Sequence, residues 1–253
     1  MAARLTSSPR IPKDVLEGNG NGNGDEAAVV HSPKGGARGK ATSVEIKPIQ
    51  TAVIELELIG TAPLVVNQFP EKARRQMRDK HLKKAKVGRE IRKPFEEFVG
   101  SLHIINRSRV PKTKLDIGGS WPYKPDTFGV PAAAFKSAAV SACSFLQGTT
   151  KTLIKGAMHV VGELVPLKFD KVTMREDIVR VGPWGNRQPD LRYRGEFSEW
   201  SCRVQIRYNS TLLSVEQIAN LFEHAGFHVG VGEGRPEKEP GAATWGTFAV
   251  RRA

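Results

Sequence analysis

The chain has 253 residues, 39% of them hydrophobic, and carries 39 Lys and Arg against 26 Asp and Glu, a formal charge of +13. At roughly 150 residues per domain this is one or two domains with room for a sizeable core. No apolar run approaches the ~18 residues of a membrane span, the start lacks a signal-peptide h-region, and two cysteines without CxxC spacing, Cys143 and Cys202, argue against a zinc or disulfide framework.

Met1 to about Lys40 is poor in large apolar residues and contains the alternating Gly/Asn run Gly18 to Gly24. Such a segment cannot bury enough area to offset its ordering entropy. A disordered basic tail is expected over 1–48, and a folded domain over 49–253. Thr51 to Gly60 alternates apolar residues with Glu55 and Glu57 and predicts a half-buried strand. A basic insertion follows at about 69–100. It is partly helical, is broken near Gly88 and Pro94, and is too polar to bury a face. Leu102 to Val110 is a weaker strand candidate, and Pro111 to Phe128 reads as loop. Pro131 opens an alanine-rich helix running to Phe145. Leu164 to Phe169 predicts a short strand, Val172 to Asp190 a loop-rich stretch, and Glu199 to Tyr208 a strand. Ser214 and Gln217 have capping-box spacing. The helix they open ends at Gly226, before a glycine-rich loop and a last strand, Thr247 to Val250. The order sketches an α+β, ferredoxin-like β-α-β-β-α-β core with long insertions and one free sheet face.

Several motifs bear on function. Gly230, Gly232 and Gly234 would let backbone amides approach phosphates, with Arg235 adding charge; a tight loop between helix and edge strand is the alternative. The spacing is neither Walker nor Rossmann. In the basic run, Arg74, Arg75, Arg78, Lys83, Lys84 and Lys86 would form a mobile thumb that closes on a strand. Arg175, Arg180, Arg192, Tyr193 and Arg194, with Trp184, suit phosphate contact and base stacking; equally, Asp177 and Asp190 would pair with the arginines and hold loops in place. No HxH or HExxH spacing occurs. His224 and His228 are four apart, but with Gly226 between them a shared helical face is not expected. His228, beside the glycine loop, is the candidate general base if the chain cuts RNA. The two cysteines read as small buried hydrophobes in a reducing compartment.

The helix start Phe128-Gly129-Val130-Pro131-Ala132-Ala133-Ala134-Phe135-Lys136-Ser137-Ala138 resembles the first helix of the repeat-associated mysterious protein (RAMP) superfamily. The loop from Gly230 to Arg235 and the strand Trp245 to Val250 resemble its C-terminal glycine-rich loop and closing strand. An acidic, proline-containing stretch, Glu233 to Pro240, interrupts that loop. Met174 to Gly182, Asp190 to Arg194, and Gly226 to Lys238 are similar to a group of phage and prophage proteins. The likeness spans about Val53 to Val250. It implies an RRM-like fold, binding of RNA or single-stranded DNA, a CRISPR-backbone-like habit of assembling in copies along the strand, and a bacterial host. It also directs attention to Asp116 and Asp126, in a loop where some members carry a cleaving aspartate.

The expected protein is a cytoplasmic nucleic-acid binder without chemistry, cofactor, metal or membrane partner. A metal-independent endoribonuclease and a phage structural or assembly protein are the alternatives. The charge alone also fits a solubilising surface or an acidic protein neighbour.

Overall fold

The computed structural model describes residues 48–82, 91–183, 185–238 and 244–251. The tail placed at 1–48 lies outside them except for its last residue, as do Gly88, Lys83, Lys84, Lys86 and Trp184.

The described residues form an α+β structure with two antiparallel sheets. Strand β1 (Thr51–Gly60) lies at the centre of the larger sheet, paired on one side with β10 (Phe248–Val250) and on the other with β9 (Ser201–Asn209). Beyond β9 come β5 (Met158–Val160) and β6 (Leu164–Lys168), and β6 pairs β4 (Gly129–Pro131). The period-two pattern explains why β1 and β9 pair in one register. Leu56 and Leu58 opposite Val204 and Cys202 all turn inward, and a one-residue slip would expose them.

Helices α3 (Ala132–Ala142) and α5 (Val215–His224) pack together on the inner face of this sheet, and the short α4 (Lys151–Ala157) packs against α3. Buried alanines at 132, 138, 139 and 142 let α3 approach closely, and Phe135 meets Phe248 edge-on at 6.0 Å. The expected capping box is present: Gln217 N–H donates to Ser214 Oγ, and Ser214 N–H to Gln217 Oε1. Ile218, Leu221 and Phe222 are the buried stripe of α5.

Gly226 does not end this helix. The chain continues through a π-helical turn, Ala225–Val229, and stops at Gly230, whose φ of +70° suits glycine. Gly226 is required for another reason: a Cβ there would lie 1.9 Å from the Phe248 carbonyl oxygen.

The smaller sheet has the order β2 (Leu64–Val66), β8 (Gln188–Phe197), β7 (Lys171–Val181), β3 (Ser120–Pro122). Here the loop-rich stretch expected over Val172 to Asp190 is instead a long hairpin, paired from Val172↔Phe197 to Val181↔Gln188. Its turn-forming residues, Gly182, Pro183 and Gly185, sit at the tip. Helix α2 (Pro94–Ser101) packs on β8, and Phe98, Trp121, Phe128, Phe169 and Phe197 interlock beneath it.

The strand expected at Leu102–Val110 is absent. Only the isolated bridge Ile104↔Phe128 forms, followed by a 3-10 turn at Arg107–Arg109. The Asn106 side chain accepts from Ser108 N–H at 3.1 Å, a local bond that competes with strand pairing.

Among the described residues no helix is long and apolar enough to cross a membrane.

Candidate nucleic-acid interface

The outer face of the larger sheet presents Val53, Glu55 and Glu57 of β1 against Arg207, Gln205 and Arg203 of β9. Arg203 pairs with Glu55 at 3.7 Å and Arg251 with Glu57 at 3.2 Å. Two of these three arginines are thus paired, and β1 and β9 show no exposed aromatic ring there, so these strands are not a stacking platform for bases.

The cationic concavity lies elsewhere. A groove of ≈ 880 Å³ runs between the β7–β8 hairpin, the segment Asn67 to Pro70, and the glycine loop with Trp245. Register explains its floor. Arg175 lies opposite Arg194 and Asp177 opposite Arg192, so these four residues and Val179 and Val181 share one face of the hairpin. Arg180, Arg187, Arg192, Arg194 and Lys238 line the groove against two carboxylates, Asp177 and Glu233. Phe69, Pro70, Val179 and Val181 add apolar surface beside the charges.

The arginines divide by their partners. Arg175 donates to Asp177 at 2.6 Å and to Glu196 at 2.5 Å, and its guanidinium lies 3.9 Å from the Trp245 ring centroid. It joins the hairpin to the C-terminal segment. Arg192 is more open and pairs with Asp190 at 2.8 Å. Arg194 is only 8% exposed. It meets Asp177 at 3.5 Å and Glu233 at 3.7 Å, and its Nε has no hydrogen-bond partner. Tyr193, the neighbour in sequence, points to the opposite face. There Arg92 lies 5.8 Å over its ring, and a hydrogen bond to Glu176 raises its phenol above the usual range. The structure therefore separates Tyr193 from the arginines with which it was grouped. Arg92, inside the basic insertion expected at about 69–100, ties α2 to β8 through Glu97, Asp190 and the Leu191 carbonyl.

In the glycine loop, Gly230, Gly232 and Gly234 all have positive φ. The amides of Gly230, Val231 and Glu233 donate within the chain, to Ala225, Gly246 and Val65. A Cβ on Gly232 would lie 2.4 Å from the Val65 carbonyl oxygen, and one on Gly234 would lie 2.2 Å from the Trp245 ring. Close packing of the loop on β2 and Trp245 accounts for these glycines. Arg235 donates to the Gly232 carbonyl at 3.0 Å, bracing the loop, while Gly234 and Lys238 form the groove wall.

Helix α1 (Glu71–His81) starts directly after the Asn67–Pro70 wall. Arg74 and Arg78 pair with Glu71, and Arg75 with Asp79. All three arginine side chains are more than half exposed, and such pairs contribute roughly 0–1 kcal/mol.

The remaining candidates lie outside the groove. His228 and His224 do share a helical face, stacked with centroids 5.6 Å apart, because the helix runs on past Gly226. Asp126 has φ +51° and pairs with Arg109 at 3.3 Å, and Asp116 is exposed in its loop. Burial pushes the Cys202 thiol up to about 12 and also raises that of Cys143. Among the described residues no cluster of His, Cys, Asp and Glu could hold a metal ion.

The groove also takes in Arg180, expected from sequence, and Arg187 and Lys238, which were missed. Arg187 lies in the hairpin tip and Lys238 after the glycine loop, both outside the strands, so no periodicity marks them in the sequence.

No protein-family model matches the chain, and no curated protein is similar to it in sequence. Among solved structures it is similar to the crystal structure of Cmr6 from Pyrococcus furiosus, with TM-score 0.39 and 11% identity, over 81% of this chain and 100% of that one.

Proposed function

We propose that the chain binds single-stranded nucleic acid in the groove between the β7–β8 hairpin and the glycine loop, without chemistry of its own. The observation that carries this is the groove's lining, five cations against two carboxylates with apolar side chains between them. Cations neutralise phosphates, and apolar surface accepts bases that are not already stacked in a duplex. Helix α1 adds Arg74, Arg75 and Arg78 at the rim, as a thumb over the strand. The topology supports a ferredoxin-like core of the RAMP kind. Its path β10-β1-β9-β5 is antiparallel throughout, with α3 between β1 and β5 and α5 between β9 and β10. Copies lining up along one strand belong to the same reading.

The test is fluorescence anisotropy of labelled RNA and DNA single strands and the matching duplexes. Single strands are expected to bind more tightly than duplex, and Arg192→Glu with Lys238→Glu to weaken binding at least roughly tenfold, as loss of several charge contacts does. Absence of binding at low salt, or an unchanged affinity in the double variant, overturns the proposal.

A further inference from the structure

A second concave site lies on the helical side of the larger sheet, built from rings. Phe145 stacks on His228 with centroids 4.3 Å apart and planes 12° from parallel. His228 in turn faces His224 at 5.6 Å and 10°. Phe227 meets His228 edge-on at 4.9 Å. Two of these rings are open to solvent, Phe145 at 54% and Phe227 at 75%. Side chains four apart on a helix lie one above the other, so the pile runs along the helix axis. The next position in that row is Asn220, which is exposed and carries a short amide instead of a ring. A hollow of ≈ 380 Å³ opens there, lined by Asn220, Glu223, His224, Phe227 and His228.

A pile of near-parallel rings whose last member borders a hollow fits one more flat ring. The rim narrows the choice. Asn220 both donates and accepts. Glu223 accepts from Val250 N–H through Oε2 at 2.8 Å, and its other oxygen remains to accept from a ligand. An apolar side chain from a protein partner would match the rings but not this polar edge. A base matches both, with a π-face for the stack and an edge of N–H donors and acceptors for the amide and carboxylate. No Lys or Arg lines the hollow, so the fit is to a base and not to a phosphate. We infer that this hollow is a nucleobase site, in which a purine or pyrimidine stacks on His224 and is held at its edge by Asn220 and Glu223. The base comes from a free nucleotide or from an unpaired position in a strand, and the experiment separates the two.

The full chain is titrated with GMP, AMP, CMP and UMP in turn, and then with a short single strand, while the histidine ring signals are followed by NMR. Saturable shifts of the His224 and His228 rings with at least one mononucleotide assign a free nucleotide; shifts with the strand alone assign a strand base. Either supports the site. His224→Ala is expected to weaken binding roughly tenfold or more, the usual worth of one base–aromatic stack. His224→Phe, which keeps a ring, is expected to stay within a few-fold of the parent. His224 is only partly buried, so both variants are expected to melt close to the parent, and a melt checks this. No ring shift with any ligand, an unchanged affinity in His224→Ala, or loss of binding in His224→Phe overturns the inference. So does a dimer in sedimentation that Phe227→Ala dissociates, since the rings would then be a protein contact. Because the readout sits at these rings, strand binding in the groove can fail without altering the mononucleotide result.

Discussion

Gly226 and Cys202 show how single residues constrain this chain. The backbone of the π-helical turn passes so close to β10 that any side chain at 226 would meet the Phe248 carbonyl. Gly226→Ala is therefore expected to destabilise the protein by about 3 kcal/mol, the upper range for overpacking, measured by denaturant melting. A change below about 0.5 kcal/mol would show that the approach is looser than described. Cys202 is buried beside Leu58 at its register position, and its thiol is held neutral to about 12 from an ordinary value of 9.0. The folded state thus keeps a proton that the unfolded chain releases. Below the unfolded value this has no effect on stability. As pH rises from 9.0 towards 12, stability falls by up to about 1.4 kcal/mol per pH unit. Cys202→Ala should remove that part of the alkaline slope, and equal slopes in the two proteins would contradict it. From sequence Gly226 reads as a helix stop and Cys202 as a small buried hydrophobe. Only the second was right, because burial of an apolar alternation is visible in sequence while a close backbone approach is not.

The elements differ in how far they could be read in advance. Strands β1 and β9 and helix α5 each have one buried face, so their periods appear directly as apolar residues in the sequence. The β7–β8 hairpin has no such face along its outer half. One side carries Asp177, Val179, Arg192 and Arg194, and the other Glu176, Ile178, Leu191 and Tyr193. Charges on both sides erase the period-two signal, and the Gly and Pro residues at the tip then suggest a loop. For the same reason the groove was legible only in fragments: its walls come from residues near 67, 180 and 235, joined by β2 pairing with β8 and by the Val65↔Glu233 bridge. The buried cation of this hairpin supplies a test of the element. Arg194 stands between Asp177 and Glu233, whose side chains are 11% and 20% exposed. Asp177 keeps Arg175 and Glu233 keeps Lys238, so Arg194→Met removes one of two cations from each carboxylate and is expected to destabilise by about 2 kcal/mol, less than breaking a buried pair outright. Adding Asp177→Asn should recover part of that loss, since it lowers the negative charge left in excess beside position 194. Simple additivity of the two substitutions in a double-mutant cycle would mean that the hairpin does not depend on this contact.

For the molecule as a whole, the formal charge of +13 overstates what any one surface offers. The outer face of the larger sheet neutralises Arg203 and Arg251 with Glu55 and Glu57, and Arg92 and Arg175 serve as internal ties. What the groove presents is a net of three positive charges. Counterion release then sets the salt dependence. A single strand held by about three phosphates should show a slope of log affinity against log salt near −2, at roughly −0.7 per phosphate. If α1 closes as a thumb, its arginines steepen that slope, and Arg74→Glu, Arg75→Glu and Arg78→Glu together should return it towards the groove's own value. A slope that the triple variant leaves unchanged would place α1 off the strand, while a slope near zero in the parent would remove phosphate contact from the groove itself. The distribution of charge, more than its total, decides between these outcomes, because an arginine already held by two carboxylates releases no counterions when a strand arrives.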